Sequence, residues 1–164
     1  MIKIPNYMHS QIFKNRNMNI SLQLNQFDED YLFFCEPIKN NIMTDGKFIR
    51  ILYSSDLFTL NGIYLLLKIN NIYIERYYNK YKYIFDIHSH AEIIEQVKKI
   101  ENDILNKIDN NKKPQHKIYE QLCNGNVKII SDKIEKCNNL LLKISGIWET
   151  ETEYGITYKF MNAT

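Results

Sequence analysis

From Met18 to Leu24, apolar Met18, Ile20, Leu22 and Leu24 alternate with polar Asn19, Ser21 and Gln23. A period of two puts one face of a strand against a core. Asp28-Glu29-Asp30 breaks the pattern, Tyr31 to Cys35 forms a short apolar run ended by Pro37, and Thr44-Asp45-Gly46 signals a turn. Lys47 to Tyr53 follows as a β-rich run containing Phe48, Ile49, Ile51, Leu52 and Tyr53. The runs Ile63 to Ile69 and Ile72 to Tyr77 flank Asn70-Asn71. Because Asn tolerates positive φ, this pair predicts a two-residue hairpin turn. Tyr81 to Ile87 is a further strand candidate.

The period changes at Ala91. Ile93, Val97, Ile100, Ile104 and Ile108 recur at steps of three and four, with Glu92, Lys98, Glu101 and Asp103 between them. This spacing predicts an amphipathic helix over about 91–109, stopped by Asn110 to Pro114. A shorter helix is expected from Pro114 to Cys123, with Pro in its first turn and Gly125 just past its end. Val127 to Ser131 fits strand or helix, and the conformation of 126–139 stays open. Leu140 to Trp148 and Tyr154 to Phe160 predict a C-terminal hairpin over 140–160, with Gly146 at a bulge or a barrel corner. The 164 residues suit one strand-rich domain, 1–164, with the helix set before the hairpin. The class is mainly β with one long amphipathic helix (α+β), arranged as a small barrel or a sandwich.

A 45% hydrophobic share supports a core, and a net charge of +2 gives no argument from bulk charge for a nucleic-acid partner. Phosphate binding must therefore come from a local patch. Ile, Asn, Lys and Tyr are heavily used while Ala and Arg are scarce, the mark of an AT-rich genome, so single Lys, Asn or Tyr residues weigh little. Cys35, Cys123 and Cys137 are odd in number and irregular in spacing, which suits core positions in a reducing compartment better than a disulfide framework. The stretch from Met1 to Pro5 lacks a signal-peptide pattern, and no run reaches the ~18 apolar residues of a membrane span. A cytoplasmic location without a membrane partner is expected.

Two segments carry candidate chemistry. In Arg76-Tyr77-Tyr78-Asn79-Lys80-Tyr81-Lys82-Tyr83, cations and rings interleave. Single-strand binders need rings on which bases stack and cations that follow phosphates. Asp86-Ile87-His88-Ser89-His90 resembles the D-x-H-x-H stretch of metal-dependent hydrolases. Only His9 and His116 remain as further histidines, and the chain is too short for a (β/α)₈ barrel. No nucleophile elbow, phosphate loop or G-x-G-x-x-G occurs. We therefore expect no enzyme, no catalytic residue, no metal and no cofactor. Trp148, the single Trp, suits a core anchor or a stacking platform.

Phe48-Ile49-Arg50-Ile51-Leu52-Tyr53-Ser54-Ser55, continuing through Phe58 to Tyr64, and Leu142-Lys143-Ile144-Ser145-Gly146-Ile147-Trp148-Glu149, continuing to Tyr154 through Phe160, resemble small proteins of large cytoplasmic DNA viruses and of virus-like linear plasmids in yeast cytoplasm. Some of those are single-stranded DNA-binding proteins with an oligonucleotide-binding barrel. The resemblance implies such a barrel here and a non-catalytic role in cytoplasmic DNA replication. On this reading Arg50, Arg76, Lys80 and Lys82 meet phosphates, while Tyr53, Tyr77, Tyr78, Tyr81 and Tyr83 stack bases of single-stranded DNA or RNA. The alternative is a structural or assembly subunit, a capsid or complex component, that docks on a copy of itself or on another protein through the 91–109 helix.

Overall fold

A strand buries every second residue, and the computed structural model, which describes residues 20–40, 42, 45–78, 80–130 and 138–163, shows that rhythm along Lys47–Ser54, Ile63–Lys68, Lys80–Ile84 and Asn126–Ile130. In chain order the strands are β1 (Leu22–Gln23), β2 (Leu32–Phe34), β3 (Ile38–Lys39), β4 (Lys47–Ser54), β5 (Thr59–Asn61), β6 (Ile63–Lys68), β7 (Tyr73–Tyr77) and β8 (Lys80–Ile84). Helix α1 (Ala91–Asn106), β9 (Lys113–Gln115), helix α2 (Lys117–Cys123), β10 (Asn126–Ile130), β11 (Asn139–Glu149) and β12 (Glu153–Asn162) follow. The protein is thus mainly β with one long helix, as its periodicity predicts. No described helix is long and apolar enough to cross a membrane.

Nine strands form one sheet, and β10-β8-β7 form a second. The two share no hydrogen-bonded strand pair, so the described strands do not close into a barrel. In the large sheet β11 pairs with β12 along its whole length. Its other edge is divided: residues 139–144 pair with β6 and residues 146–149 with β4. The handover is the β-bulge between Ile144 and Gly146. Gly62 joins β5 to β6 at the same place with φ 92°, where a Cβ would sit 2.5 Å from the Ile144 carbonyl oxygen. A glycine is required there both by its conformation and by the close approach.

Several local expectations meet a different outcome. Asn71 has the positive φ expected of it, but β6 and β7 belong to different sheets, so Asn70-Asn71 is a corner and not a hairpin turn. The Asn70 N–H donates to His90 Nε2 at 3.0 Å, which ties the corner to the start of α1. Helix α1 ends at Asn106, before Asp109, because Lys107 and Ile108 turn to shorter bonds with the Ile104 and Leu105 carbonyls. Pro114 lies in β9 and not in the first turn of α2. Residues 126–130 are strand β10. Part of the first alternating run lies outside the described residues, as does Cys137; Leu22 and Gln23 form β1, and Leu24 begins a 3-10 turn. Cys123 is exposed, so it is not a core residue.

The core lies between the inner faces of both sheets and α1. It contains Ile49, Ile51 and Tyr53 of β4, Ile63, Leu65 and Leu67 of β6, Leu140, Leu142 and Ile144 of β11, and Val127 and Ile129 of β10. Ile94, Val97, Ile100, Ile104 and Leu105 bury the apolar stripe of α1 in it. Glu101, 1% exposed, accepts the Ile118 and Tyr119 N–H groups at 3.0 and 2.8 Å and so fixes the start of α2 against α1. Burial pushes its carboxyl above the usual range.

Candidate nucleic-acid interface

The pleat decides which side chains of the Tyr-rich segment can meet a ligand. Tyr81 and Tyr83 alternate with Lys80 and Lys82 along β8, as the sequence suggests, but the ring face is the inner one. Tyr81 is 5% exposed and Tyr83 0%, so neither ring is a stacking platform. Tyr53 is likewise buried at 1%; its hydroxyl accepts the Asp28 N–H at 3.0 Å, and its ring contacts Phe27 and Tyr31. For β8 the reason lies in the contrast between its two faces. Enclosing a large ring releases far more apolar surface from water than enclosing a lysine stem, and the lysine's charge resists burial. The proposed base-stacking role of Tyr53, Tyr81 and Tyr83 is therefore corrected to a core role. Tyr78 is exposed at the β7–β8 turn with φ 55°, and the side chain of Tyr77 lies outside what the structure describes.

The cations of this segment remain on the surface. Lys82 stands between Glu75 of β7 and Lys128 of β10 on the outer face, with Lys80 in the next row. Arg76 is exposed, and its Nε donates to the Tyr78 carbonyl at 3.4 Å. These five charged residues surround a shallow cavity of about 290 Å³.

Rings and cations do share a face elsewhere, on the outer side of the large sheet. Alternation along β4 sends Ile49, Ile51 and Tyr53 inward and Phe48, Arg50 and Leu52 outward. Ile38, Phe48 and Trp148 form one cross-strand row on that side. Phe33, Leu52 and Asn61 form another, with Arg50 between the two rows. Phe33 and Ile38 are 54% and 56% exposed, and Phe48, Leu52 and Trp148 are half-buried. The Arg50 Nη1 donates to Asn61 Oδ1 at 3.0 Å, which directs the guanidinium along the face.

Two glycines shape this surface. A Cβ on Gly155, the cross-strand partner of Trp148, would meet the indole at 2.7 Å. A Cβ on Gly146, the partner of Arg50, would collide with the Ile49 carbonyl and the Phe48 ring. Both rings thus lie down on bare backbone. Beyond the bulge the same side carries Tyr64, Lys143 and Lys159 in one row, with the Lys143 ammonium 5.0 Å from the Tyr64 ring centre. By register Lys68 and Lys113 also stand on this side, and Glu153, bonded to Gln115 at 2.8 Å, is the carboxylate among its described strand residues. Leu141, on the same side, is 2% exposed, so the open part of the face begins at Lys143.

Of the residues singled out in the sequence for binding, only Arg50 lies on this face. Phe33, Phe48, Lys143 and Lys159 carry no binding motif in the local sequence, and Trp148 gains its ring and cation neighbours only through the sheet. The signal that reveals them is parity: Phe48, Arg50 and Leu52 are two apart and must share a side. No family model, no curated protein and no solved structure matches the chain.

The Asp86-x-His88-x-His90 stretch serves the start of α1. Asp86 Oδ2 accepts the Ser89 N–H and hydroxyl at 2.8 and 2.5 Å, and these bonds hold its carboxyl below the usual range. His90 is buried; its Nε2 accepts from Asn70, so Nδ1 carries the proton and donates to the Asp86 carbonyl at 2.8 Å. Both ring nitrogens are thereby engaged with backbone. No group of three metal-capable side chains occurs among the described residues.

Proposed function

We propose that the protein is a non-catalytic binder of single-stranded DNA or RNA, and that the outer face of the large sheet is its interface. One observation carries this reading: Phe33, Phe48 and Trp148 stand on the same side as Arg50, Lys143 and Lys159. Bases stack on such rings at ~1–3 kcal/mol each while cations follow the phosphates. The two segments with a resemblance to small proteins of cytoplasmic DNA viruses and virus-like plasmids, some of them single-strand binders, fall on β4, β11 and β12, three of the strands that build this face. That coincidence supports a role in cytoplasmic DNA replication, and an arrangement of the oligonucleotide-binding type in which the two sheets act as an open barrel. Docking through the long helix is disfavoured, because the apolar stripe of α1 is already spent on the protein's own core.

The test is a titration of the folded protein with an unstructured oligonucleotide of about thirty bases, longer than the ~4–16 nucleotides one such domain covers. Micromolar or tighter binding at low salt, weakened by Trp148→Ala, is the expected result. No binding at low salt refutes the reading.

A further inference from the structure

Resting on that reading, we propose that the bound strand runs on from the ring face across the groove between β12 and β10 onto the lysine face of the small sheet. The groove is about 680 Å³ and is lined by Gln121, Lys128, Ile130, Tyr158, Lys159 and Met161 among others, with no carboxylate in its wall. Its two cations face opposite ways in the fold. Lys159 is the cross-strand partner of Lys143 and so belongs to the ring face. Lys128 is the partner of Lys82 and so belongs to the outer face of the small sheet, where Lys80 continues the charge; Arg76, level with Tyr81 by register, lines the same cavity from the end of β7. The groove is where these two surfaces meet.

Followed from neighbour to neighbour, Arg50, Lys143, Lys159, Lys128, Lys82 and Lys80 make a track over both sheets. Lys143 with Lys159 and Lys128 with Lys82 are cross-strand pairs on strands ~4.8 Å apart, and the groove, lined by Lys159 and Lys128, joins one pair to the other. Glu75 beside Lys82 is the carboxylate on the small-sheet part of the path. The two halves of the track have different chemistry. The large sheet offers rings, whereas on the small sheet the ring row of β8 points inward and lysines dominate. The first half holds bases and phosphates; the second holds chiefly phosphates, since Tyr73, 65% exposed and level with Ile84 at the far end of β7, is the ring that its described outer strand positions present. The occupant is a polyanion of regular charge spacing, the same nucleic-acid strand.

The experiment compares oligothymidylates of about eight and about thirty bases, lengths that bracket the ~4–16 nucleotides of one domain, on the wild type and on Lys82→Ala/Lys128→Ala. Both lysines point outward from β-strands, and the Lys82→Arg/Lys128→Arg variant controls for the fold. The track predicts that the alanine variant binds the short strand as the wild type does. On the long strand its salt slope should flatten by up to about 1.4, twice the ~0.7 lost per single-strand phosphate contact, and the arginine variant should restore it. An unchanged long-strand slope, or an equal loss at both lengths, overturns the track and leaves the ring-face reading standing. Displacement of the long strand by poly-glutamate of equal charge as readily as by more oligonucleotide also overturns it, since the surface would then favour an acidic protein. If the wild type binds neither length, the ring-face reading fails and takes the track with it.

Discussion

Strands β8 and β4 both mix aromatic rings with cations, yet they put them to opposite uses. Along β8 the two kinds alternate one by one, Lys80, Tyr81, Lys82, Tyr83, and the pleat sends every ring inward and every lysine outward. Along β4 the ring of Phe48 and the guanidinium of Arg50 are two residues apart and emerge together. Close interleaving, which in a flexible chain looks like an ideal binder, is on a strand the arrangement that separates the partners. Equal parity brings them together. A ring that shares a face with a charge is held at the surface, whereas a ring that opposes one can be drawn into the core.

The sharpest way to break this comparison is to truncate one ring from each strand system. Tyr83→Ala removes a fully buried ring and should cost ~3–5 kcal/mol of stability in urea unfolding, as large buried aromatics do. Trp148→Ala should lower affinity for a single strand by ~1–3 kcal/mol, with the salt slope unchanged, since stacking releases no counterions. A Tyr83→Ala protein of native stability with weakened binding would reverse the roles assigned to the two strands. Gly155→Ala probes the ring's seat: its Cβ would press on the indole, and overpacking of this kind costs ~1–3 kcal/mol. Its affinity should fall along with its stability. The smallest effect expected is that of Arg50→Ala, which should flatten the salt slope by about 0.7 with little change in stability.

The features legible in the sequence are those that local periodicity determines. The helix shows itself because Val97, Ile100 and Ile104 repeat at the helical step within a single segment. The two faces of β8 were legible for the same reason. Which of those faces is inside was not, because Val127 and Ile129, more than forty residues on, pair with Tyr83 and Tyr81 to build the small sheet's inner face. The Asn70-Asn71 corner misled in a similar way. The turn chemistry is real, but the partners of β6 and β7 are chosen by β11 and β8. The ring face needs more still, since Phe48 and Trp148 are a hundred residues apart and become neighbours only through the β4–β11 pairing. Gly146 and Gly155 stand out in sequence as isolated glycines, and only the sheet reveals that rings lie on them.

Trp148 is the only tryptophan in the chain and lies half-buried on the proposed face, so its emission reports on that face alone. The most direct measurement is therefore the fluorescence of the wild-type protein as an oligothymidylate is added at low salt, followed by salt. Stacking of a base on the indole predicts saturable quenching that salt reverses, with the midpoint matching binding measured by anisotropy of a labelled strand. Binding by anisotropy with no change in Trp148 emission would contradict the account, because the strand would then lie away from the face where rings and cations meet.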